Sequence, residues 1–229
     1  MIRCVAVDVD GTLTDREGVI HHEVVAALER LKRRGTHVLL TSATCYPVLV
    51  GLAYYLPVTR LVVAENGGVV GFKRDYEILG DPSRAQRDRK VIMETGLVVD
   101  SWQNRFRFVD LAFKPVQGVS IDYAAEELRR RVAGMGVTVD SSGLAVHVRD
   151  ERVDKGVGLA VACRKLGIDL SETAAIGDSD VDLPLFERAG LSVALANATE
   201  RLKEEASVVV SSGYWRGFLE ALSLIEELT

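Results

Sequence analysis

The chain opens on an apolar run, Ile2 to Val7, that is too short for a helix and ends in Asp8-Val9-Asp10-Gly11-Thr12. Such a run reads as a buried parallel strand that delivers two carboxylates at its carboxyl end. Residues two apart in extended chain point the same way, so Asp8 and Asp10 project together while Gly11 bends the chain away. Neighbouring carboxylates repel, and the pair needs a cation, a shared proton or open solvent. Open α/β sheets carry their sites at the carboxyl ends of strands, where this pair sits. Two plainer readings stand beside it. One is a strand-to-turn junction with solvated acids. The other is a calcium loop, although Gly11 comes two residues too early for an EF-hand and no Glu closes it.

Beyond Thr12 the chain settles into a strand–helix rhythm. Val24, Val25, Leu28 and Leu31 fall at helical spacing, and Gly35 supplies a stop. Residues 38–40 read as a strand, 47–55 as a helix and 61–63 as a third strand; 69–70 and 78–79 read as a hairpin. The rhythm breaks near Asp81-Pro82. From there helix-strand-strand occurs twice: a helix over 83–95 with strands at 98–99 and 106–113, then a helix over 121–133 with strands at 137–139 and 144–148. From Asp154 the first rhythm resumes, with a helix over 156–166, a strand at 173–176 and a helix beginning near Asp180. A strand at 191–194, a helix over 199–205, a strand at 208–210 and a closing helix over 215–228 complete it. The expectation is an α/β protein: a doubly wound parallel, Rossmann-like sheet core over 1–80 and 152–229, with a small α+β domain inserted over 81–151.

The 229 residues, 48% hydrophobic, suffice for one sizeable domain plus an insertion. A net charge of -5 gives no electrostatic case for nucleic acid or an anionic membrane as partner. No run approaches the ~20 apolar residues of a membrane span. Cys4, Cys45 and Cys163 are unclustered, which argues against a disulfide framework or zinc site and for a reducing cytoplasm. The four histidines form no metal-ligand pattern, and Gly67-Gly68 lacks the company of a nucleotide fingerprint.

A second stretch, Gly177-Asp178-Ser179-Asp180-Val181-Asp182, again places an acid after an apolar strand. Asp182 lies about one helical turn beyond Asp178, so both can face one site. Asp180 reads as ordinary acid enrichment at a helix start. With Asp8 and Asp10, Asp178 and Asp182 make four hard carboxylates at strand ends, a set that suits Mg²⁺. Lys155, in Asp154-Lys155-Gly156, opens a helix, where the macrodipole disfavours a cation unless anions lie nearby. Thr41 and Ser42 follow the second strand, where hydroxyls and amides can hold phosphate oxygens or cap a helix.

Taken in chain order, these four stretches resemble the four motifs of the haloacid dehalogenase-like phosphatases. The resemblance implies Asp8 as nucleophile and Asp10 as acid-base residue, with Asp8, Asp10, Asp178 and Asp182 around Mg²⁺. It implies Lys155, Thr41, Ser42 and Asn197 on the substrate. The chain departs from the family pattern at Ser42-Ala43 and at Val181. The insertion's position and length are similar to those of the archaeal-type phosphoglycolate phosphatases, which implies 2-phosphoglycolate as substrate and is compatible with a homodimer. Alternatives are a sugar-phosphate phosphatase or phosphomutase on the same core, or a phosphate- or metal-binding module without turnover. In the insertion, Val109, Leu111, Phe113, Leu144, Val146 and Val148 read as the helix-covered face of a sheet. Asp110, Lys114, His147 and Arg149 read as the open face, which in such relatives closes over the site. Arg149 or Lys114 is the expected partner of a substrate carboxylate.

Overall fold

A computed structural model of the chain describes residues 1–227. The expected closing-helix residue 228 lies outside them. The first half runs β1 (Cys4–Asp8), α1 (His22–Arg33), β2 (His37–Thr41), α2 (Tyr46–Tyr55), β3 (Val62–Ala64), β4 (Val69–Phe72) and β5 (Asp75–Ile78). Next come α3 (Pro82–Met93), β6 (Val98–Asp100), β7 (Asp110–Pro115), α4 (Ile121–Arg131), β8 (Val137–Ser141) and β9 (Val146–Asp150). The last part is α5 (Lys155–Leu166), β10 (Thr173–Gly177), α6 (Leu183–Phe186), β11 (Leu191–Ala194), α7 (Glu200–Glu205), β12 (Val208–Val209) and α8 (Tyr214–Glu227).

Eight strands form the main sheet in the order β12-β11-β10-β1-β2-β3-β4-β5. It is parallel from β12 to β3, and β4 and β5 extend it as an antiparallel hairpin. Side-chain alternation splits β1 between two cores. Val5 and Val7 pack with Leu28 of α1 and Phe218 of α8, whereas Cys4 and Ala6 pack with Leu159 of α5 and Leu185 of α6. Burying each large apolar side chain stabilises the fold by about 1.5–3 kcal/mol. The chain runs from β1 to β2 on one side and later returns as β10 on the other, so the strand order reverses beside β1. Ligands of doubly wound sheets bind at such a reversal, and here it lies at Asp8.

The second, smaller unit is a four-stranded antiparallel sheet, β6-β7-β9-β8. Ile92 of α3 and Leu128 of α4 cover one face of it, meeting Leu111, Phe113, Val146 and Val148. Two residues expected on that face are elsewhere. Val109 packs into the core of the main sheet, and Leu144 sits exposed in the turn between β8 and β9. Residues 106–109, expected as strand, are not strand either. Ser101 caps a 3-10 turn over Trp102–Phe106, and the buried carboxylate of Glu65 accepts the amides of Phe108 and Val109 at 2.8 and 3.0 Å, so these make no ladder.

The two crossings between the units are held together by Asp150. Its carboxylate accepts the amide of Asp81 at 2.9 Å and takes the Arg152 guanidinium through both oxygens. No described helix is long and apolar enough to cross a membrane, and the three cysteines are buried and free.

Candidate active site

Register brings the strand ends together. Asp8 lies directly across from Thr41 on the neighbouring strand, and β10 ends beside them at Gly177, just before Asp178. Gly11 turns at φ 84°, and a Cβ there would overlap the Asp178 carboxylate, so the loop after Asp8 needs glycine to lie so close. Thr12 donates its hydroxyl to Asp178 Oδ1 at 3.0 Å. Lys155 enters from the start of α5, almost wholly buried, with Nζ 2.6 Å from both Asp8 Oδ1 and Asp182 Oδ1.

Asp182 reaches the site differently from the expected helical turn. Asp180–Asp182 is a 3-10 turn, and Asp182 curls back so that its Oδ2 accepts the amides of Asp178 and Ser179 at 3.2 and 3.1 Å. Both its oxygens are therefore occupied. Asp180 turns outward to Thr199 and Arg201.

Asp8, Asp178 and Asp182 offer ligand oxygens within 4.8 Å of one another. Burial pushes the Asp8 carboxyl well up. The Lys155 charge opposes this, while the Asp182 and Asp178 charges add to it. Burial, then the charge of Asp182, raises Asp178 to about 7. Burial also works against the Lys155 charge, but Asp182 and Asp8 outweigh it and hold the ammonium above its usual range. Three carboxylates thus share one ammonium. A cluster of hard oxygens with surplus negative charge fits a divalent cation. Asp10 stands apart from the cluster. It reaches into the open cleft, yet burial by the protein around it raises its carboxyl against the charge of Lys155 and a hydrogen bond with the Thr44 side chain.

Thr41 is fully buried and its hydroxyl has no partner, a free donor beside Asp8. Ser42 is also buried, and its hydroxyl accepts the Thr44 amide at 3.0 Å. Asn197 donates to the Gly11 carbonyl and Asp178 Oδ2, and accepts the Tyr214 amide at 2.7 Å. Its amide thus braces the loop and Asp178 against α8.

The smaller sheet turns its uncovered face toward Asp10. A chamber of about 280 Å³ is lined by Asp10, Thr44, Gln103, Lys114, Ser142 and His147. Arg149 lines a different, larger chamber with Asp178 and Asn197, and its guanidinium is held by Asp140. Sequence reasoning missed the roles of Thr12 and Glu65 here. Thr12 was findable as part of the first motif. Glu65 carries only the signal of a non-glycine residue at positive φ, 53°, which is visible in the backbone alone.

With this geometry established, the chain belongs to the haloacid dehalogenase-like hydrolases. The sequence model of that family matches residues 5–95 and 114–222. Among its relatives, the phosphoglycolate phosphatase of Pyrobaculum islandicum is 39% identical over 222 residues, covering 95% of this chain and 93% of that protein. The phosphoglycolate phosphatase of Archaeoglobus fulgidus is 35% identical over 225 residues, covering 97% and 96%. A solved structure from Thermoplasma acidophilum superposes with a TM-score of 0.84 at 25% identity, covering 99% of each chain.

Proposed function

We propose that this hydrolase is a phosphoric monoester hydrolase that converts 2-phosphoglycolate to glycolate and phosphate, with Mg²⁺ as cofactor and an aspartyl-phosphate on Asp8. The observation that carries the reading is the contrast between two neighbouring carboxylates. Asp8 is buried and fixed through Oδ1 on Lys155, which leaves Oδ2 for attack. Asp10 is exposed in the open cleft, where its carboxyl can meet a departing ester oxygen as a proton donor.

Asp8 Oδ2 attacks phosphorus in line, and the bond from phosphorus to the ester oxygen breaks. Asp10 gives its proton to the departing alkoxide. A water then attacks the aspartyl-phosphate and loses its proton to the Asp10 carboxylate, which frees phosphate and restores both residues. Lys155 neutralises charge on the transferring group, and the unpartnered Thr41 hydroxyl donates to a phosphoryl oxygen. Asp8, Asp178 and the main chain at Asp10 would hold Mg²⁺, which would neutralise phosphoryl charge there. Asp182, whose carboxylate lies with those of Asp8 and Asp178, would be a further ligand and also orients Lys155. Ser42 and Asn197 shape the loops on either side of the phosphoryl group. The names of the relatives from Pyrobaculum islandicum and Archaeoglobus fulgidus support the choice of substrate.

The test is phosphate release from a panel of 2-phosphoglycolate, sugar phosphates and simple alkyl phosphates, with and without Mg²⁺. The expected result is Mg²⁺-dependent release with the highest kcat/KM for 2-phosphoglycolate. A higher value for a sugar phosphate, or an isomerised product without free phosphate, would overturn the assignment.

A further inference from the structure

The end of the substrate remote from phosphorus must meet some group in the chamber between the two units. Three cations and one histidine stand on the open face of the smaller sheet or beside it. Arg107 is nearly buried and lines the same chamber, but both its terminal nitrogens are taken and only the buried Nε is unpartnered. Its Nη1 donates to the Asp110 carbonyl and Oδ2 at 3.1 and 3.0 Å, and its Nη2 donates to Gln103 at 3.2 Å. Arg149 is bound by Asp140 and lines the other chamber. Lys114 is exposed, lines the chamber that holds Asp10, and makes no ion pair among the described residues.

His147 is different again. It is 3% exposed, and its Nδ1 lies 2.9 Å from Asp110 Oδ2, at the floor of the same chamber. Burial pushes the Asp110 carboxyl up, but the charges of His147 and Arg107 outweigh it and hold the group below its usual range. Asp110 is therefore an ionised acceptor, and the Nδ1–H of His147 donates to it. Nε2 is left toward the chamber, 3.3 Å from Ser142 Oγ. A carboxylate on the far nitrogen is also the partner that stabilises an imidazolium when an anion approaches Nε2. Asp110 is in turn registered against the main unit, because Asn66 donates to its Oδ2 at 3.1 Å. The chain from Asn66 through Asp110 to His147 thus fixes the imidazole relative to the strand ends that hold Asp8.

We propose that Lys114 and His147 form an anion subsite that binds the carboxylate of the substrate, with Asp110 and Asn66 as positioning residues. This rests on the reaction proposed above. A chamber of about 280 Å³ is at the small end of ligand pockets, typically ~300–1,000 Å³, and suits a two-carbon ester. The chamber reaches the catalytic residues at Asp10, so the ester oxygen lies at that end and the carboxylate meets the lysine and imidazole at the other.

The experiment uses the full chain with Mg²⁺ and compares 2-phosphoglycolate with ethyl phosphate, the corresponding ester without the carboxylate. The readout is the ratio of their kcat/KM values in wild type, Lys114→Met, His147→Gln, Asp110→Asn and Arg149→Gln. The first two variants should lower the ratio at least tenfold, chiefly through KM for 2-phosphoglycolate. Asp110→Asn should lower it in the same direction, and Arg149→Gln should leave it unchanged. Lys114 is exposed, so its variant folds and decides the matter if the buried ones do not. If wild type hydrolyses 2-phosphoglycolate best and Lys114→Met and His147→Gln leave the ratio intact, the subsite is overturned and the reaction stands. A fall with Arg149→Gln equal to that with Lys114→Met overturns it too. If wild type prefers ethyl phosphate, the proposed substrate fails first and the subsite falls with it.

Discussion

Asp182 shares Lys155 with Asp8: one of its oxygens is 2.6 Å from the ammonium, and the other binds the amides of Asp178 and Ser179. One carboxylate thereby locks the loop after β10 to the start of α5. Removing it leaves the buried ammonium with Asp8 alone and two part-buried amides without a partner. Asp182→Ala should cost about 3–5 kcal/mol of stability, the usual loss when a buried pair is broken, and should lower kcat by at least ~100-fold. Urea unfolding and phosphate release measure the two effects. A variant as stable as wild type would show that the pairing is not structural.

Asp8→Asn should keep the fold and abolish turnover, because an amide is a far weaker nucleophile. Single-turnover phosphate release checks this, and activity within about tenfold of wild type would count against attack by Asp8.

The metal-free protein should be less stable at pH 8 than at pH 5. Asp8 and Asp178 have folded values raised, first by burial, Asp178 to about 7. A carboxyl raised in the fold contributes stability that is present below its unfolded value of about 4 and is lost as pH rises through the folded value. Thermal melts in chelator should therefore show Tm falling between about pH 4 and 7, and added Mg²⁺ should restore it at pH 8. A flat Tm in chelator across that window would contradict the charge balance described for the cluster.

Asp150 should show the opposite sign. Hydrogen bonds from Arg152 hold its carboxyl well below the usual carboxylate range. Its contribution is present above the unfolded value of about 4 and is lost only as pH falls through the lower folded one. Asp150→Ala should cost roughly 1–3 kcal/mol at pH 7, and the gap to wild type should narrow only in strong acid. Denaturant titrations at pH 7, 4 and 2.5 measure it, and a gap already closed at pH 5 would contradict the assignment.

Much of the fold was legible because its signals are local. The period of two in Cys4–Val7, split between two cores, and the helical spacing of Val24, Leu28 and Leu31 are visible in a few residues. The strand-end positions of Asp8, Thr41 and Asp178 were legible for the same reason. What was hidden depends on partners far along the chain. Residues 106–109 look like strand until Glu65, 43 and 44 positions earlier, takes the amides of Phe108 and Val109. Asp182 looks like the next turn of a helix until its carboxylate folds back onto the amides of its own loop and a lysine 27 positions away. The alternation in β7 and β9 sorted faces correctly at Leu111, Phe113, Val146 and Val148, yet alternation alone does not separate Lys114 from Arg149. Register does: Arg149 pairs with Asp110, four residues along the strand from Lys114, and the two line different chambers.

Lys155 lies 147 residues beyond the Asp8 it binds, and the smaller unit fills about half of that interval. On a ribosome adding ~5–20 residues per second, the wait is roughly 7–30 s. Once β2 is made, β1 has it on one flank and nothing on the other, because β10 has yet to be made. The central strand of the sheet thus spends its first seconds as an open edge, the kind of edge on which nascent chains join wrongly. The order of synthesis makes the closing of that edge, and the pairing of Asp8 with Lys155, late events in the life of each molecule.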